Sequence, residues 1–188
     1  MLPMNVVELT KQLISIPSES RYSNRAGSDF LSSLMAERGF QVEELTYWDD
    51  TEEKVSLVAR RGRGAGGLGL LCHSDTVPGG DDWEPFSPHV ENGRLYGRGS
   101  CDMKGALAAS LVAASRVSEN VLQHPVWVIV ASDEEAGLRG AQKVVAESRM
   151  FLESPPRYGV VCEATGMIPV YAHKGVVNFL VTAHGVSA

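Results

Sequence analysis

Apolar residues recur at helical spacing near the start of the chain: Val6, Leu9, Leu13 and Ile14 fall on one side of the segment Asn5 to Ile14. Pro17 stops that helix, and a second is predicted from Ser23 to Arg38, ended by Gly39. The pattern then switches to alternation, predicting strands at Phe40 to Tyr47 and Val55 to Arg60. Leu68 to Leu71, Val126 to Ala131 and Tyr158 to Val161 are short apolar runs of the kind buried on both faces of a sheet. Between them, Met103 to Val117 and Gly137 to Ser148 read as helices, and Asn92-Gly93 marks a tight hairpin between His89-Val90 and Arg94-Leu95-Tyr96. Alternating strands and helices predict an α/β fold with a mainly parallel sheet. Val176 to Ala183 reads as a last strand with nothing after it to cover its edge; either it pairs back on the sheet or the chain is truncated there, and truncation is expected.

Composition adds little beyond exclusions. The chain has 188 residues, 44% of them hydrophobic and 21% charged, and a formal net charge of -6. That acidic balance, with no basic run, argues against nucleic acid. The segment Met1 to Gln12 has no basic region followed by a long apolar run, and Val126 to Ala131 is far too short to span a bilayer. A soluble, cytoplasmic protein with no membrane partner is expected.

Four signals stand where predicted strands or their connections end: His73-Ser74-Asp75, Gly99 to Gly105 around Asp102, Asp133-Glu134-Glu135, and Cys162-Glu163. In open α/β sheets ligands bind beyond the carboxyl ends of the strands. His73 and Asp75 share a face of an extended segment. They suit a metal-bound imidazole and the carboxylate that accepts its other N–H. Read blandly, Asp75 to Gly80 is a turn and Asp102 an N-cap for the helix that follows. Glu134 and Glu135 can divide the work, one binding metal and the other staying free as a base. Asp102, Glu135 and Glu163 with a bridging hydroxide would balance a pair of divalent cations.

Two other patterns carry less. Cys72, Cys101 and Cys162 each precede a proposed ligand, are too scattered for a thiolate site, and are expected to face away into the core. Gly62-x-Gly64-x-x-Gly67 fits a dinucleotide fingerprint but joins strand to strand, with no helix after it.

The stretches Leu71 to Pro78, Leu95 to Gly105, Ser132 to Gly137 and Cys162 to Gly166 together resemble the M20 family of metallopeptidases and amidohydrolases. That family includes acetylornithine deacetylase, succinyl-diaminopimelate desuccinylase, aminoacylase and carboxypeptidase G types. The resemblance implies a three-layer α/β/α zinc-peptidase-like catalytic domain with an inserted α+β lid that often dimerises. It implies two Zn2+ ions per complete site, with Co2+ as an alternative. By the same resemblance His73 binds one ion and Asp102 bridges both. Glu163 binds the first and Glu135 the second, Glu134 is the general base, and Asp75 orients His73. A cis peptide is implied at Asp102–Met103. The motif Glu163-Ala164-Thr165 departs from the family's Glu-Pro-Thr, and the family's last histidine ligand lies beyond this chain. His173 and His184 are expected to be structural or solvent-facing.

Residues 1–175 are accordingly expected to be the N-terminal part of the catalytic domain, and 176–188 the first strand of the lid. The implied activity is zinc-dependent hydrolysis of the amide of an N-acyl amino acid, acetylornithine deacetylase-like, a lean that rests on Ala172-His173-Lys174-Gly175. A dipeptidase or carboxypeptidase of the same family is the alternative, and a non-catalytic metal-binding remnant the reading if 188 residues are the whole protein. The expected partners are a small N-acyl amino acid or short peptide and, for the complete protein, a second copy of itself.

Overall fold

The computed structural model describes residues 4–172, 174, 175, 177 and 179–185. Helix α1 (Val6–Ser15) starts where the Asn5 side chain accepts the N–H groups of Val7 and Glu8, and it buries Leu9, Leu13 and Ile14. Helix α2 (Arg25–Glu37) buries Leu31 and Met35. It ends in a Schellman turn: Gly39, at φ 82°, donates to the Ala36 carbonyl and Phe40 to that of Met35.

Strands β1 (Gln41–Asp49) and β2 (Glu52–Arg61) form a long hairpin turning at Asp50-Thr51, with Asp50 at φ 51°. Strand β3 (Leu68–His73) follows the glycine-rich connector, which joins strand to strand as expected. Strands β4 (His89–Glu91) and β5 (Arg94–Tyr96) make the short Asn92-Gly93 hairpin. Helix α3 (Lys104–Arg116), strand β6 (Val126–Ala131), helices α4 (Arg139–Glu147) and α5 (Arg149–Glu153), and strand β7 (Tyr158–Val161) complete the described elements.

Among the described residues the main sheet has the order β1-β2-β6-β3-β7. The β1–β2 and β2–β6 pairs are antiparallel, while β6–β3 and β3–β7 are parallel. Four of the five strands therefore point the same way and β2 alone is reversed, a mainly parallel α/β sheet.

Period-2 alternation divides the core into two layers. Val55, Leu57 and Ala59 of β2 and Val126, Val128 and Val130 of β6 pack with α1, α2 and α3 through Leu9, Leu31, Leu107 and Leu111. Val58, Trp127 and Ile129 face the other side, where Val144 of α4 and Phe151 of α5 cover them. Helices on both faces of one sheet make the three-layer α/β/α arrangement.

Two expectations differ from the structure. Cys72 is buried and Cys162 half-buried, but Cys101 is exposed. It lies in a turn rather than a strand, so the rule of opposite faces does not govern it. Of the predicted strand Val176 to Ala183, positions 176 and 178 lie outside the described residues, as do His173 and 186–188. The described remainder has no strand pairing, and Phe179 and Leu180 are exposed. A strand exists only with a ladder partner, and none lies beside this stretch among the described residues.

Candidate metal centre

Parallel strands β3, β6 and β7 deliver their carboxyl ends to one rim, and the chemistry-bearing residues gather there. His73, the last residue of β3, is buried. Its Nδ1 lies 3.0 Å from the Asp75 carbonyl oxygen, which selects hydrogen on Nδ1 and leaves Nε2 to face the acids of the rim. Nε2 points at Asp102 Oδ1, 3.1 Å away, and at Glu163 Oε1, 3.7 Å away.

Asp75 reaches further than its spacing from His73 suggests. Its carboxylate lies 3.6 Å from Nδ1, too long for a hydrogen bond. It accepts instead the main-chain N–H groups of Glu134 (3.1 Å) and Glu135 (3.2 Å) and the Ser20 hydroxyl (2.7 Å). The Asp75 backbone thus orients the imidazole while its side chain grips the acidic turn after β6. Segment 18–20 secures this loop in turn, because Thr76 donates to Ser18 and Ser20 to Thr76 through the main chain.

Asp102 is presented by the turn before α3. The α3 N-terminus has no side-chain cap, so the carboxylate is not engaged as an N-cap. The Asp102–Met103 peptide is cis. Met103 is buried, with its sulfur accepting the His73 main-chain N–H. Gly99 holds φ 82°, and a Cβ there would stand 2.9 Å from Thr76 Cγ2, so the turn can press against the His73 loop only without a side chain. The buried Lys104 ammonium donates to the carbonyls of Leu13 and Ile16, tying the start of α3 to the end of α1.

Side-chain atoms of His73, Asp102 and Glu163 lie within 4.8 Å of one another, and so do those of His73, Glu134 and Glu135. Burial opposes the charge on Glu135 and on Glu163, and the Asp102 carboxylate adds to this, so both carboxyls titrate above 4.5. Burial also opposes the His73 imidazolium, but Asp75 and Glu163 outweigh it and raise the imidazole above 6.5. One imidazole shared by two pairs of carboxylates forms donor sets that suit a divalent ion such as zinc. All six residues singled out in the sequence meet at this rim.

Sequence reasoning missed the supports behind them. Ser20 anchors Asp75, and the buried Lys54 pairs with Asp133 at 3.1 Å. Tyr47 donates to the other Asp133 oxygen at 2.6 Å, and burial with this bond holds its phenol above the ordinary range. The one signal was Lys54 itself, the charged residue that opens the buried stretch of β2.

Residues 69–176, more than half of the chain, match peptidase family M20/M25/M40. Acetylornithine deacetylase of Proteus mirabilis is 34% identical over 178 residues, covering 90% of this chain and 45% of that protein. Succinyl-diaminopimelate desuccinylase of Ehrlichia chaffeensis is 32% identical over 199 residues, covering 98% and 51%. The chain thus spans about half the length of these relatives. The crystal structure of human carnosine dipeptidase 1 superposes with a TM-score of 0.65 at 21% identity, covering 83% of this chain and 38% of that one. The profile match and the shared fold agree with the four motifs on the rim, and the chain belongs to peptidase family M20/M25/M40.

Proposed function

We propose that the full-length protein is a zinc-dependent amidohydrolase that cleaves the amide of an N-acyl amino acid, acetylornithine deacetylase-like. The observation that carries this is the convergence of the His73 imidazole with the carboxylates of Asp102 and Glu163, and with those of Glu134 and Glu135. In this reading His73, Asp102, Glu135 and Glu163 would hold a pair of divalent ions. Bound there, such ions polarise a carbonyl and make water a nucleophile near neutral pH. Glu134 takes the proton of the attacking water and passes it to the leaving amine nitrogen. Asp75 keeps His73 in its ligand tautomer and fixes the backbone of Glu134 and Glu135. Residues 1–175 serve as the N-terminal part of the catalytic domain and 176–188 as the opening of a lid. A cytoplasmic homodimer is the expected form of the whole protein.

The acyl group is the finest part of the proposal, supported by the deacetylase relative, while a desuccinylase stands close behind at 32% identity. The test is turnover by metal-loaded full-length protein on N-acetylornithine, N-succinyl-diaminopimelate and a set of dipeptides. Preference for N-acetyl amino acids supports the proposal. Preference for dipeptides moves the protein to the peptidase branch. Bound metal without turnover on any of them leaves a metal-binding protein without catalysis.

A further inference from the structure

Lys54 and Asp133 are each 1% exposed, and their charged atoms lie 3.1 Å apart. The ammonium also donates to the carbonyls of Ser20 and Tyr22, so its three hydrogens meet three acceptors. Asp133 uses its second oxygen for the Tyr47 hydroxyl, and it immediately precedes Glu134 with its backbone at φ 51°.

Register explains how the pair forms. The β2–β6 ladder pairs Leu57 with Val130 and Ala59 with Val128. Carried past its end, the same register sets Lys54 opposite Asp133. A buried ion pair adds little net stability, because desolvation offsets the attraction. Its effect here is geometric. Through Ser20 the ammonium steadies the segment whose hydroxyl holds Asp75, and through Asp133 it steadies the turn whose N–H groups Asp75 accepts.

We infer that Lys54 is a positioning residue: it locks the Asp133-Glu134-Glu135 turn and the Ser20–Asp75 contact into one arrangement, and so aims Glu134 and Glu135. This rests on the roles given to those glutamates under Proposed function.

The test compares full-length wild type, Lys54→Met and the double variant K54M/D133N by Co2+ titration, steady-state kinetics and thermal melting. Lys54→Met leaves the buried Asp133 carboxylate without its cation, whereas the double variant removes both charges and is expected to melt closer to wild type. In both variants the first Co2+ binds as in wild type. The second is weakened about 10- to 100-fold, as for residues that support metal ligands. kcat falls about 100-fold with KM nearly unchanged, the scale of a small misplacement of reacting groups.

Wild-type Co2+ affinity and kcat in a folded variant would overturn the inference. Deficits that vanish in the double variant together with the recovered melting temperature would also overturn it, since Lys54 would then serve the fold alone. Wild type that takes up no Co2+ would instead sink the metallohydrolase reading, and this inference with it.

Discussion

The carboxylate of Asp75 accepts the main-chain N–H of Glu134 at 3.1 Å. A residue two positions beyond one proposed ligand therefore sets the backbone of the proposed base, which lies on a different strand connection. Asp75→Ala is expected to cut both kcat and the affinity for the second metal ion by about 10- to 100-fold. Inductively coupled plasma analysis beside kinetics checks this. Full metal content with normal kcat would show that the acidic turn holds its shape unaided.

Glu134→Gln keeps the size of the side chain and removes its basicity. We expect kcat to fall by about a hundredfold or more, the range for a general base, with metal content unchanged. Loss of metal together with activity would make Glu134 a ligand rather than the base.

Without metal the rim favours protons. Burial and Asp102 hold Glu135 and Glu163 above 4.5, and Asp75 and Glu163 hold His73 above 6.5 despite its burial. A group whose folded pKa exceeds its unfolded value binds more protons in the folded state, so its contribution falls as pH rises. That contribution is complete below 4.5 for the glutamates and below 6.5 for His73, and it disappears as pH passes each raised value. Carboxylates held low by a partner, such as Glu53 beside Arg25, act in the opposite sense and below 4.5. The Cys162 thiol, brought down to about 6 chiefly by its contact with Cys72, acts in the opposite sense above that value, so metal-stripped Cys162→Ser protein is the form expected to melt at lower temperature as pH rises from about 5 to about 8, and Zn2+ to restore the loss at the upper end. Calorimetry across that range decides it, and a flat or rising profile in the stripped protein would count against the proton-loving rim.

Gly140 sits where α4 meets the end of β6. A Cβ there would lie 2.3 Å from the Ser132 carbonyl oxygen and 2.5 Å from Ser56 Oγ. Gly140→Ala must push the helix from the end of the strand that leads to Glu134 and Glu135, and a loss of about 1–3 kcal/mol is expected from such overpacking. Urea unfolding of the full-length protein measures it. An unchanged midpoint would mean that the helix shifts freely.

Much of this was readable from spacing alone. The continuous apolar run of β6 and the alternation in β1 announced buried and half-buried strands, and each of the four motifs lay where a strand or its connection ends. What spacing could not show was contact between distant segments. Ser20 meets Asp75 across 55 positions, and Lys54 meets Asp133 only through a ladder register that no local pattern encodes. The exposure of Cys101 went unread because a turn, not a strand, presents Asp102. The stretch Val176 to Ala183 has the composition of a strand, but composition does not provide a ladder partner.

The reversal of β2 brings a hairpin tip to the rim that its parallel neighbours supply with connecting loops. Tyr47 reaches Asp133 from this tip, and Arg139 after β6 pairs with Asp49 beside the turn. The turn itself is only Asp50-Thr51. Residues inserted there would extend the hairpin beside Asp133 and Arg139 without removing a ladder pair, and each doubling of such a loop costs only about 0.6 kcal/mol. The hairpin is thus a place where length can change at little risk to the sheet that presents the acidic turn.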